Sequence, residues 1–278
     1  MYKITVIIPT FNRVQTIPRA IESVLSQSIT VDEIIIIDDG STDGTEEMIR
    51  QRYPAVKYIY QLNKGVSAAR NRAIAESRND WLAFLDDDDE WMPHKLEKQI
   101  QLLQNSPDIK LCHTEERWVR NGVRVNQMNK HQKSGGWIYQ KCLPLCAISP
   151  SSVVMHKSLF DDVGTFREDL PACEDYDMWL KICATNPVAY VETECLIKYG
   201  GHDDQLSAKH WGMDRFRIDA LINILNTGRL NDEDKGATQK ILRKKITVFM
   251  KGAAKRNKAE EVKKYESILT ELDLADNK

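Results

Sequence analysis

The sequence predicts an α/β protein in which helices flank a mostly parallel sheet, followed by a helical C-terminal extension. Short β-branched runs alternate with helical patterns through the first half of the 278 residues, as in βα units. Four consecutive isoleucines at 34–37 are typical of a central strand that is covered on both faces. From Trp211 onward only helical patterns follow. We therefore expect a Rossmann-like domain over residues 1–210 and a helical extension over residues 211–278.

The composition is that of an ordinary globular protein. There are 39 basic and 41 acidic side chains, a net charge of -2, and 42% hydrophobic residues, which disfavours collagen-like, disordered and nucleic-acid-coating proteins. No apolar run is long enough to span a bilayer, and the N-terminus is better interpreted as a strand than as a signal peptide. The six cysteines form no CxxC pair, so we expect reduced core thiols in a cytoplasmic protein. Cys142 and Cys146 lack partners for a zinc site.

The spacing of apolar residues predicts each element of the first domain. Residues 3–8 are typical of a first strand, and apolar residues three and four apart predict a helix over 17–25. In chain order, the next elements are the isoleucine strand, a helix from Thr45, a strand at 56–60, a helix at 67–77, a strand at 81–85, and a helix that begins after Pro93 and runs to about Asn105. The pattern is irregular over 109–157, and helical spacing returns at 174–185.

The extension contains three predicted helices, at 214–225, 238–254 and 259–272. Residues 240–258 carry eight basic side chains and no acidic one. The apolar stripe of this segment is formed by Leu242, Ile246, Phe249, Met250 and Ala253. Such a helix either lies on an anionic membrane surface or packs on the main domain with a solvated basic face. The second interpretation is favoured, and peripheral membrane contact stays open.

Carboxylates follow two of the predicted strands, where a parallel α/β sheet binds its ligand. Asp38 and Asp39 follow the isoleucine strand, and an acidic run begins at Asp86. Adjacent carboxylates repel one another, so a cation or a set of donors is expected to compensate them. Oxygen ligands favour Mg²⁺ or Mn²⁺ over Zn²⁺. In an extended segment Asp86 and Asp88 point to the same side and can share one cation. Since Mg²⁺ is completed by phosphate oxygens, a phosphorylated ligand is predicted.

Other residues near the strand ends could contact a nucleoside. The segment Pro9-Thr10-Phe11-Asn12 offers backbone groups and a ring to a base, although Thr or Asn before a helix is also an ordinary N-cap. Asp39 could accept from a base N–H group. Arg70 could meet the base, the phosphates or Asp39, or it could form a surface salt bridge.

Five segments in a fixed order resemble the GT-A fold nucleotide-sugar glycosyltransferases of family 2. The segments are Val-Ile-Ile-Pro-Thr-Phe-Asn at 6–12, Ile-Asp-Asp-Gly-Ser-Thr-Asp at 37–43, Asn-Lys-Gly-Val-Ser-Ala-Ala-Arg-Asn at 63–71, Phe-Leu-Asp-Asp-Asp-Asp-Glu-Trp at 84–91 and Glu-Asp-Tyr-Asp-Met-Trp-Leu at 174–180. The resemblance covers roughly residues 1–205 and leaves the helical extension unexplained. It implies a GT-A fold and a metal-dependent transferase, with residues 1–210 as the catalytic domain.

The resemblance also assigns site residues. Those implied to hold the nucleoside are Thr10, Phe11, Asn12 and Asp39. Arg70 would help to hold the base, Asp87 the ribose, and Asp88 the metal on the diphosphate, with Asp86 facing the same cation. Family members often have Asp-Ser-Asp-Asp where this chain has four aspartates at 86–89. The extra acid leaves the role of each carboxylate open.

On the acceptor side, the resemblance implies Asp175 as the catalytic base of inverting transfer, with Glu174 as the alternative. A carboxylate at a helix start can be held near an acceptor hydroxyl and take its proton. Asp177 is expected on the surface or facing a helix. His202 follows two glycines that let a loop bend over a ligand, and related enzymes often have a histidine there that approaches the metal.

We therefore expect sugar transfer from a nucleoside diphosphate sugar, with UDP favoured, to a glycan or lipid-linked acceptor in surface polysaccharide synthesis, and no nucleic-acid partner. The sugar, the acceptor and the oligomeric state stay open. A haloacid-dehalogenase-like phosphohydrolase would also place aspartates after strands, but it does not explain the Pro-Thr-Phe-Asn loop. A glycoside hydrolase needs no phosphate-linked metal. A non-catalytic sugar-nucleotide binding module would lose nothing when Asp175 is changed.

Overall fold

The computed structural model describes residues 2–201 and 211–276. Within them, nine strands form one sheet in the order β3-β2-β1-β4-β8-β6-β9-β5, and β7 pairs with β6. The strands are β1 (Ile4–Thr10), β2 (Glu33–Asp38), β3 (Lys57–Tyr60), β4 (Trp81–Phe84), β5 (Glu90–Trp91), β6 (Leu111–Arg120), β7 (Val123–Val125), β8 (Val154–His156) and β9 (Ala189–Gly200).

Helices cover the sheet. In chain order they are α1 (Ile17–Leu25), α2 (Thr45–Arg52), α3 (Val66–Glu76), α4 (Lys95–Gln104), α5 (Tyr139–Cys142), α6 (Ser158–Val163), α7 (Glu174–Cys183), α8 (Asp214–Asn226), α9 (Asp232–Ala254) and α10 (Ala259–Asp276). The predicted α/β class with a Rossmann-like sheet and a helical C-terminal region is confirmed.

The isoleucine strand is buried on both faces, as its composition predicts. Ile35 and Ile37 belong to one hydrophobic cluster, and Ile36 belongs to the cluster on the opposite face. Parallel pairing of β2 with β1 and β3, and of β1 with β4, brings the carboxyl ends of these strands to one edge of the sheet. Thr10 and Asp38 are direct neighbours at that edge.

The irregular stretch between residues 109 and 157 contains two strands that extend the sheet. β8 pairs antiparallel with β4 and β6, whereas β6 runs parallel to β9. The register of the β6–β9 pair shifts on both sides of Glu115. Such irregularities interrupt the alternation of side chains that identifies a strand in a sequence, which is why the apolar pattern did not predict β6.

The C-terminal helices share a core with the sheet. Ile218 of α8 and Leu242, Ile246 and Phe249 of α9 lie in the same hydrophobic cluster as Ile7. The apolar stripe of α9 therefore packs inside the protein, in agreement with the favoured interpretation of this segment. In the part of the chain that is described, no helix has both the length and the apolar character needed to cross a membrane.

Candidate active site

The second strand ends in two aspartates that are held by donors. The Asp38 carboxylate accepts from Ser41 N at 2.7 Å and from the Tyr58 hydroxyl at 2.6 Å. Asp39 is buried, and its carboxylate accepts from Lys64 N at 2.9 Å and Gly65 N at 2.8 Å. Gln61 Nε2 adds a third hydrogen bond to Asp39 at 2.7 Å. Both carboxylates are thus fixed by β3 and by the loops that follow β2 and β3.

The loop after β1 is attached to the turn after β2. Asn12 has a positive φ of 54°, its side-chain Oδ1 accepts from Thr42 N at 2.8 Å, and its backbone N donates to Ser41 Oγ at 2.7 Å. The Thr10 carbonyl accepts from Asp39 N at 2.8 Å. Phe11 lies between these fixed points with its side chain exposed. The geometry leaves an aromatic ring available to a planar base.

Asp87 and Asp89 of the acidic run contact different parts of the protein. Asp87 lies 3.4 Å from Arg13 Nε, and burial together with the neighbouring Asp88 raises the pKa of Asp87 to about 7. The backbone carbonyl of Asp88 accepts from Arg19 Nη2 at 2.5 Å. Asp89 is buried and accepts from Ser151 Oγ at 2.6 Å. Asp89 therefore belongs to the protein interior.

Arg70 joins the acidic run to the start of α7. Its guanidinium is 3% exposed and donates to Asp86 Oδ1 at 2.7 Å and to Glu174 Oε1 at 2.6 Å. Burial and the charge of Asp175 raise the pKa of Glu174, while Arg70 opposes this. Arg70 is therefore a buried side chain that holds two carboxylates, and it makes no hydrogen bond to Asp39.

Asp175 lies in the first turn of α7 and is half-buried. Its Oδ2 accepts from the Cys146 thiol at 3.1 Å, and its Oδ1 accepts from Tyr176 N at 2.7 Å. Asp177 faces the protein: it is 1% exposed and pairs with Lys181 Nζ at 2.6 Å. Asp175 is thus the more accessible of these two acids.

Lys198 is a candidate residue that the sequence reasoning missed. It lies on β9, and its Nζ donates to Ser149 Oγ at 3.4 Å. Burial disfavours the charged form of Lys198, yet the surrounding carboxylates raise its pKa. These carboxylates are Asp89, Glu116, Asp86 and Asp175. A lysine beside apolar residues, in Leu196-Ile197-Lys198-Tyr199, is the only signal that the sequence offers.

The acidic residues fit a metal whose coordination is completed by a ligand. In residues 2–201 and 211–276, no group of three or more His, Cys, Asp or Glu side chains is arranged to hold a metal ion. Mg²⁺, however, commonly uses one or two carboxylates and takes its other ligands from phosphates and water. Asp86 is available for such a bond because only its Oδ1 is engaged by Arg70. His202, the third predicted ligand, lies outside the described residues.

The family model for glycosyl transferase family 2 matches residues 5–163. The chain belongs to glycosyltransferase family 2. This confirms the resemblance on which the site assignments depend, although the assignments themselves stay predictions.

Relatives in this family include an uncharacterized glycosyltransferase of Rickettsia bellii, 32% identical over 69% of this chain and 28% of the relative. The Escherichia coli UDP-Glc:alpha-D-GlcNAc-diphosphoundecaprenol beta-1,3-glucosyltransferase WfgD is 30% identical over 68% of this chain and 73% of that protein. For the Rickettsia bellii, R. conorii and R. typhi relatives, the match spans between 28% and 65% of their length.

Solved structures show the same GT-A fold. S. aureus TarS 1–349 in complex with UDP-GlcNAc superposes with a TM-score of 0.68 at 19% identity, over 86% of this chain and 70% of that one. The mannosyltransferase PcManGT from Pyrobaculum calidifontis, in complex with GDP-Man and Mn2+, gives a TM-score of 0.63 at 16% identity, over 91% and 76%. At these identities the likeness establishes the fold.

Proposed function

We propose that this chain transfers a sugar from a UDP-sugar to a hydroxyl group of a glycan or lipid-linked acceptor, with inversion and with Mn²⁺ or Mg²⁺, in cell-surface glycan synthesis. The observation that carries the proposal is the bridge that Arg70 makes between Asp86 and Glu174. This bridge joins the predicted donor residues at the strand ends to the helix that carries Asp175. WfgD is named as a glucosyltransferase that uses UDP-Glc, and TarS 1–349 was solved in complex with UDP-GlcNAc, which supports UDP as the carrier.

Asp175 is the proposed base. Its carboxylate accepts the proton of the acceptor hydroxyl while that oxygen forms a bond to the anomeric carbon. The bond between the anomeric carbon and the diphosphate breaks at the same time, and its electron pair leaves with the diphosphate. Attack from the side opposite the departing group inverts the configuration. Glu174 is buried and paired with Arg70, which favours Asp175 over Glu174 in this role.

Cations are needed to balance the negative charge of the diphosphate. A bound Mn²⁺ or Mg²⁺ neutralises negative charge on the diphosphate oxygens, and its proposed protein ligands are Asp86, Asp88 and His202. Lys198 is suited to the same charge because its ammonium makes one hydrogen bond, to Ser149, within the described residues. Asp87 is proposed to hold the ribose.

The nucleoside side of the proposal rests on the strand-end loops. The residues proposed there are Thr10, Phe11, Asn12 and Asp39. Arg70 is better described as a positioning residue, since both of its terminal nitrogens are engaged by carboxylates.

The first experiment measures UDP and GDP binding by calorimetry with and without Mn²⁺, together with turnover of a panel of nucleotide sugars. We expect Asp175→Asn to bind UDP like the wild type while turnover falls by about 10² or more. The matched control is Asp161→Asn at an exposed site. Full turnover by Asp175→Asn would exclude it as the base, and release of phosphate from a simple phosphate ester would favour a phosphohydrolase.

The metal assignment has its own test. We expect Asp88→Ala to abolish the part of UDP affinity that depends on Mn²⁺ while metal-independent binding persists. If Mn²⁺ strengthens UDP binding equally in the variant and the wild type, the metal is held elsewhere.

We also propose that the protein works in the cytoplasm at the inner membrane surface and touches anionic lipid through α9. Four exposed lysines follow one another at intervals of four, seven and four residues, which places them along one face of α9, the last of them at its C-cap. They are Lys240, Lys244, Lys251 and Lys255. Lys245 is excluded from this face because its Nζ donates to the Pro144 carbonyl at 2.9 Å and pairs with Asp214 at 3.2 Å. Clustered lysines attract anionic lipid headgroups.

Flotation with vesicles that contain phosphatidylglycerol tests this contact. We expect the wild type to float with these vesicles and not with neutral ones. The variant with all four lysines changed to glutamine should stay at the bottom of the gradient, whereas the matched variant with four arginines, which keeps the charge, should float. Equal flotation of the glutamine variant would contradict the proposal.

A further inference from the structure

The β6–β7 region contains a cavity of about 410 Å³. It is formed by the second half of β6, by β7, by Glu194 of β9, and by the segment at 126–132. Its volume falls within the range of small-molecule sites in proteins, roughly 300–1,000 Å³. The cavity belongs to the irregular stretch that contains none of the family segments described above.

Three of the amide side chains that line the cavity have no hydrogen-bond partner in the described part of the chain. Asn126, Asn129 and Gln132 are exposed and line it, and within the described residues their side chains make no hydrogen bond. Each amide offers two N–H donors and an acceptor oxygen. Three such groups around one cavity are suited to a ligand that carries many hydroxyl groups.

The wall behind these amides is fixed. The Glu115 carboxylate accepts from Gln127 Nε2 at 3.1 Å and from the Tyr190 hydroxyl at 2.6 Å. Gln127 Nε2 also donates to the Glu116 carbonyl at 2.8 Å. The cavity is therefore supported by hydrogen bonds between β6, β9 and the segment that follows β7.

Trp118 gives the cavity an aromatic surface. Its Nε1 donates to Glu116 Oε1 at 2.8 Å, which fixes the ring and leaves no indole N–H group for a ligand. The His131 ring packs against it edge-on, at a centroid distance of 5.0 Å. A half-buried ring beside unpartnered amides suits a pyranose, because the sugar ring has an apolar C–H face and a polar rim of hydroxyls.

The charges of the cavity favour a neutral ligand. Both arginines that line it, Arg117 and Arg124, are paired with Glu194, at 2.8 Å and 2.6 Å. The Glu194 carboxylate balances one of the two guanidinium charges, and the carboxylates of Glu115 and Glu116 also line the cavity, so the lining has no net positive charge to attract a phosphate. The donor diphosphate is thus disfavoured as the occupant.

Glu116 connects the cavity to the reaction centre. It lines the cavity and is 3% exposed, and its Oε2 lies 3.5 Å from Lys133 Nζ. Lys133 Nζ in turn donates to the Ala147 carbonyl at 2.9 Å, and the thiol of the neighbouring Cys146 lies 3.1 Å from Asp175 Oδ2. A short path of contacts, through Lys133 and the segment at 146–147, therefore leads from the inner wall of the cavity to the proposed base.

We propose that this cavity binds the acceptor saccharide, so that a hydroxyl of the bound sugar reaches Asp175. The inference rests on the proposed transferase function, and it names the acceptor as a neutral, hydroxyl-rich sugar ring that stacks on Trp118.

Saturation-transfer NMR with a panel of p-nitrophenyl glycosides tests binding without requiring turnover. The panel contains glucosides, galactosides, mannosides and their 2-acetamido forms. We expect the wild type to bind at least one of them, and the triple variant Asn126→Ala, Asn129→Ala, Gln132→Ala to lose the signal. All three positions are exposed, so folding should be unaffected. The matched control is Asn105→Ala, which is exposed and outside the cavity.

Kinetics separate this inference from the proposed function. With the best glycoside as acceptor, we expect the triple variant to raise the acceptor KM about tenfold or more while UDP affinity and donor hydrolysis stay at wild-type values. Trp118→Phe, which keeps a ring, should raise it less than Trp118→Ala. The absence of glycoside binding by the wild type, or equal binding by the triple variant, would overturn the acceptor cavity. A wild type that binds no UDP and turns over no nucleotide sugar would overturn the proposed function instead.

Discussion

The two sides of the proposed active site hold their carboxylates in different ways. On the nucleotide side, formed by β1 to β4, Asp39 accepts from the backbone N–H groups of Lys64 and Gly65. On the acceptor side, formed by β6, β9 and α7, Glu174 faces Arg70 at 2.6 Å and Glu116 lies 3.5 Å from Lys133.

The loop that carries the backbone donors to Asp39 is near Asp39 in the chain, whereas Arg70 and Glu174 are separated by 104 positions. The carboxylates of the acceptor side thus depend on charge pairs, which at Glu174 join distant elements, whereas Asp39 is held by backbone donors. These pairs are sensitive to the loss of either charge.

The largest effect is expected at Arg70, where the two sides meet. Arg70→Met removes a buried cation and leaves Asp86 and Glu174 without the partner that they share. Loss of one partner of a buried ion pair costs about 3–5 kcal/mol. We expect a decrease of this size in the free energy of unfolding, measured by urea denaturation.

Two variants accompany that measurement. Arg50→Met removes an exposed pair with Glu46, and exposed pairs contribute only about 0–1 kcal/mol. Arg70→Met combined with Glu174→Gln should regain part of the loss, because one of the uncompensated charges is gone. If Arg70→Met costs no more than Arg50→Met, the bridge does not hold the two sides together.

The next effect is a pH dependence at Glu116. Burial alone would raise the pKa of Glu116, but Lys133 and Lys198 lower it to about 2, from a usual value of 4.5. A carboxyl group with a lowered pKa stabilises the fold above its unfolded value, and this contribution is lost as the pH falls through the folded value. The contribution is about 3 kcal/mol, at 1.36 kcal/mol for each pH unit.

The free energies of unfolding of the wild type and of Glu116→Gln should therefore converge between about pH 4.5 and pH 2. Glu192→Gln, at an exposed site on β9, serves as the control and should run parallel to the wild type. A constant difference between Glu116→Gln and the wild type over this range would mean that Glu116 contributes through its shape and not through its charge.

The same contrast explains what the sequence could predict. The isoleucine strand and Asp39 were found because local apolar runs and strand-end acids identify them. Glu116 and Lys198 were missed because their importance comes from pairing between β6 and β9, which no local pattern encodes. Arg70 was found as a candidate, but its pairing with Glu174 depends on a contact across 104 positions. A single sequence cannot show such a contact.

A smaller effect is expected on the nucleotide side, at Asp39. Asp39→Asn keeps the size of the side chain. In either orientation of the new amide, however, its N–H group faces a donor: Gly65 N on one side, or Lys64 N and Gln61 Nε2 on the other. A buried donor without an acceptor costs about 1–3 kcal/mol. We expect this loss in the free energy of unfolding, with a parallel decrease in UDP affinity. Asp80→Asn, at an exposed site, is the control. Equal free energies of unfolding and equal UDP affinities for the two variants would contradict the role of the Asp39 carboxylate.

The smallest effect is expected at Cys146, whose side chain on the acceptor side is an uncharged thiol. Its thiol is directed at Asp175 Oδ2 at 3.1 Å and also at the Ile148 carbonyl at 3.2 Å, so one proton is shared between two acceptors. A thiol is a weak hydrogen-bond donor, so even with a carboxylate acceptor we expect this hydrogen bond to contribute only about 0.5–1.5 kcal/mol. Cys146→Ala should therefore lower turnover severalfold and leave UDP affinity unchanged.

Cys146→Ser separates orientation from packing, because its hydroxyl still donates to the carboxylate. Its turnover should lie near that of the wild type, and both variants should unfold at similar denaturant concentrations. A loss near 10² in Cys146→Ala would equal the effect expected for the base itself. Asp175 would then owe its position to this thiol rather than to the bridge that Arg70 makes to the start of α7. An identical loss in both variants would instead point to packing around residue 146.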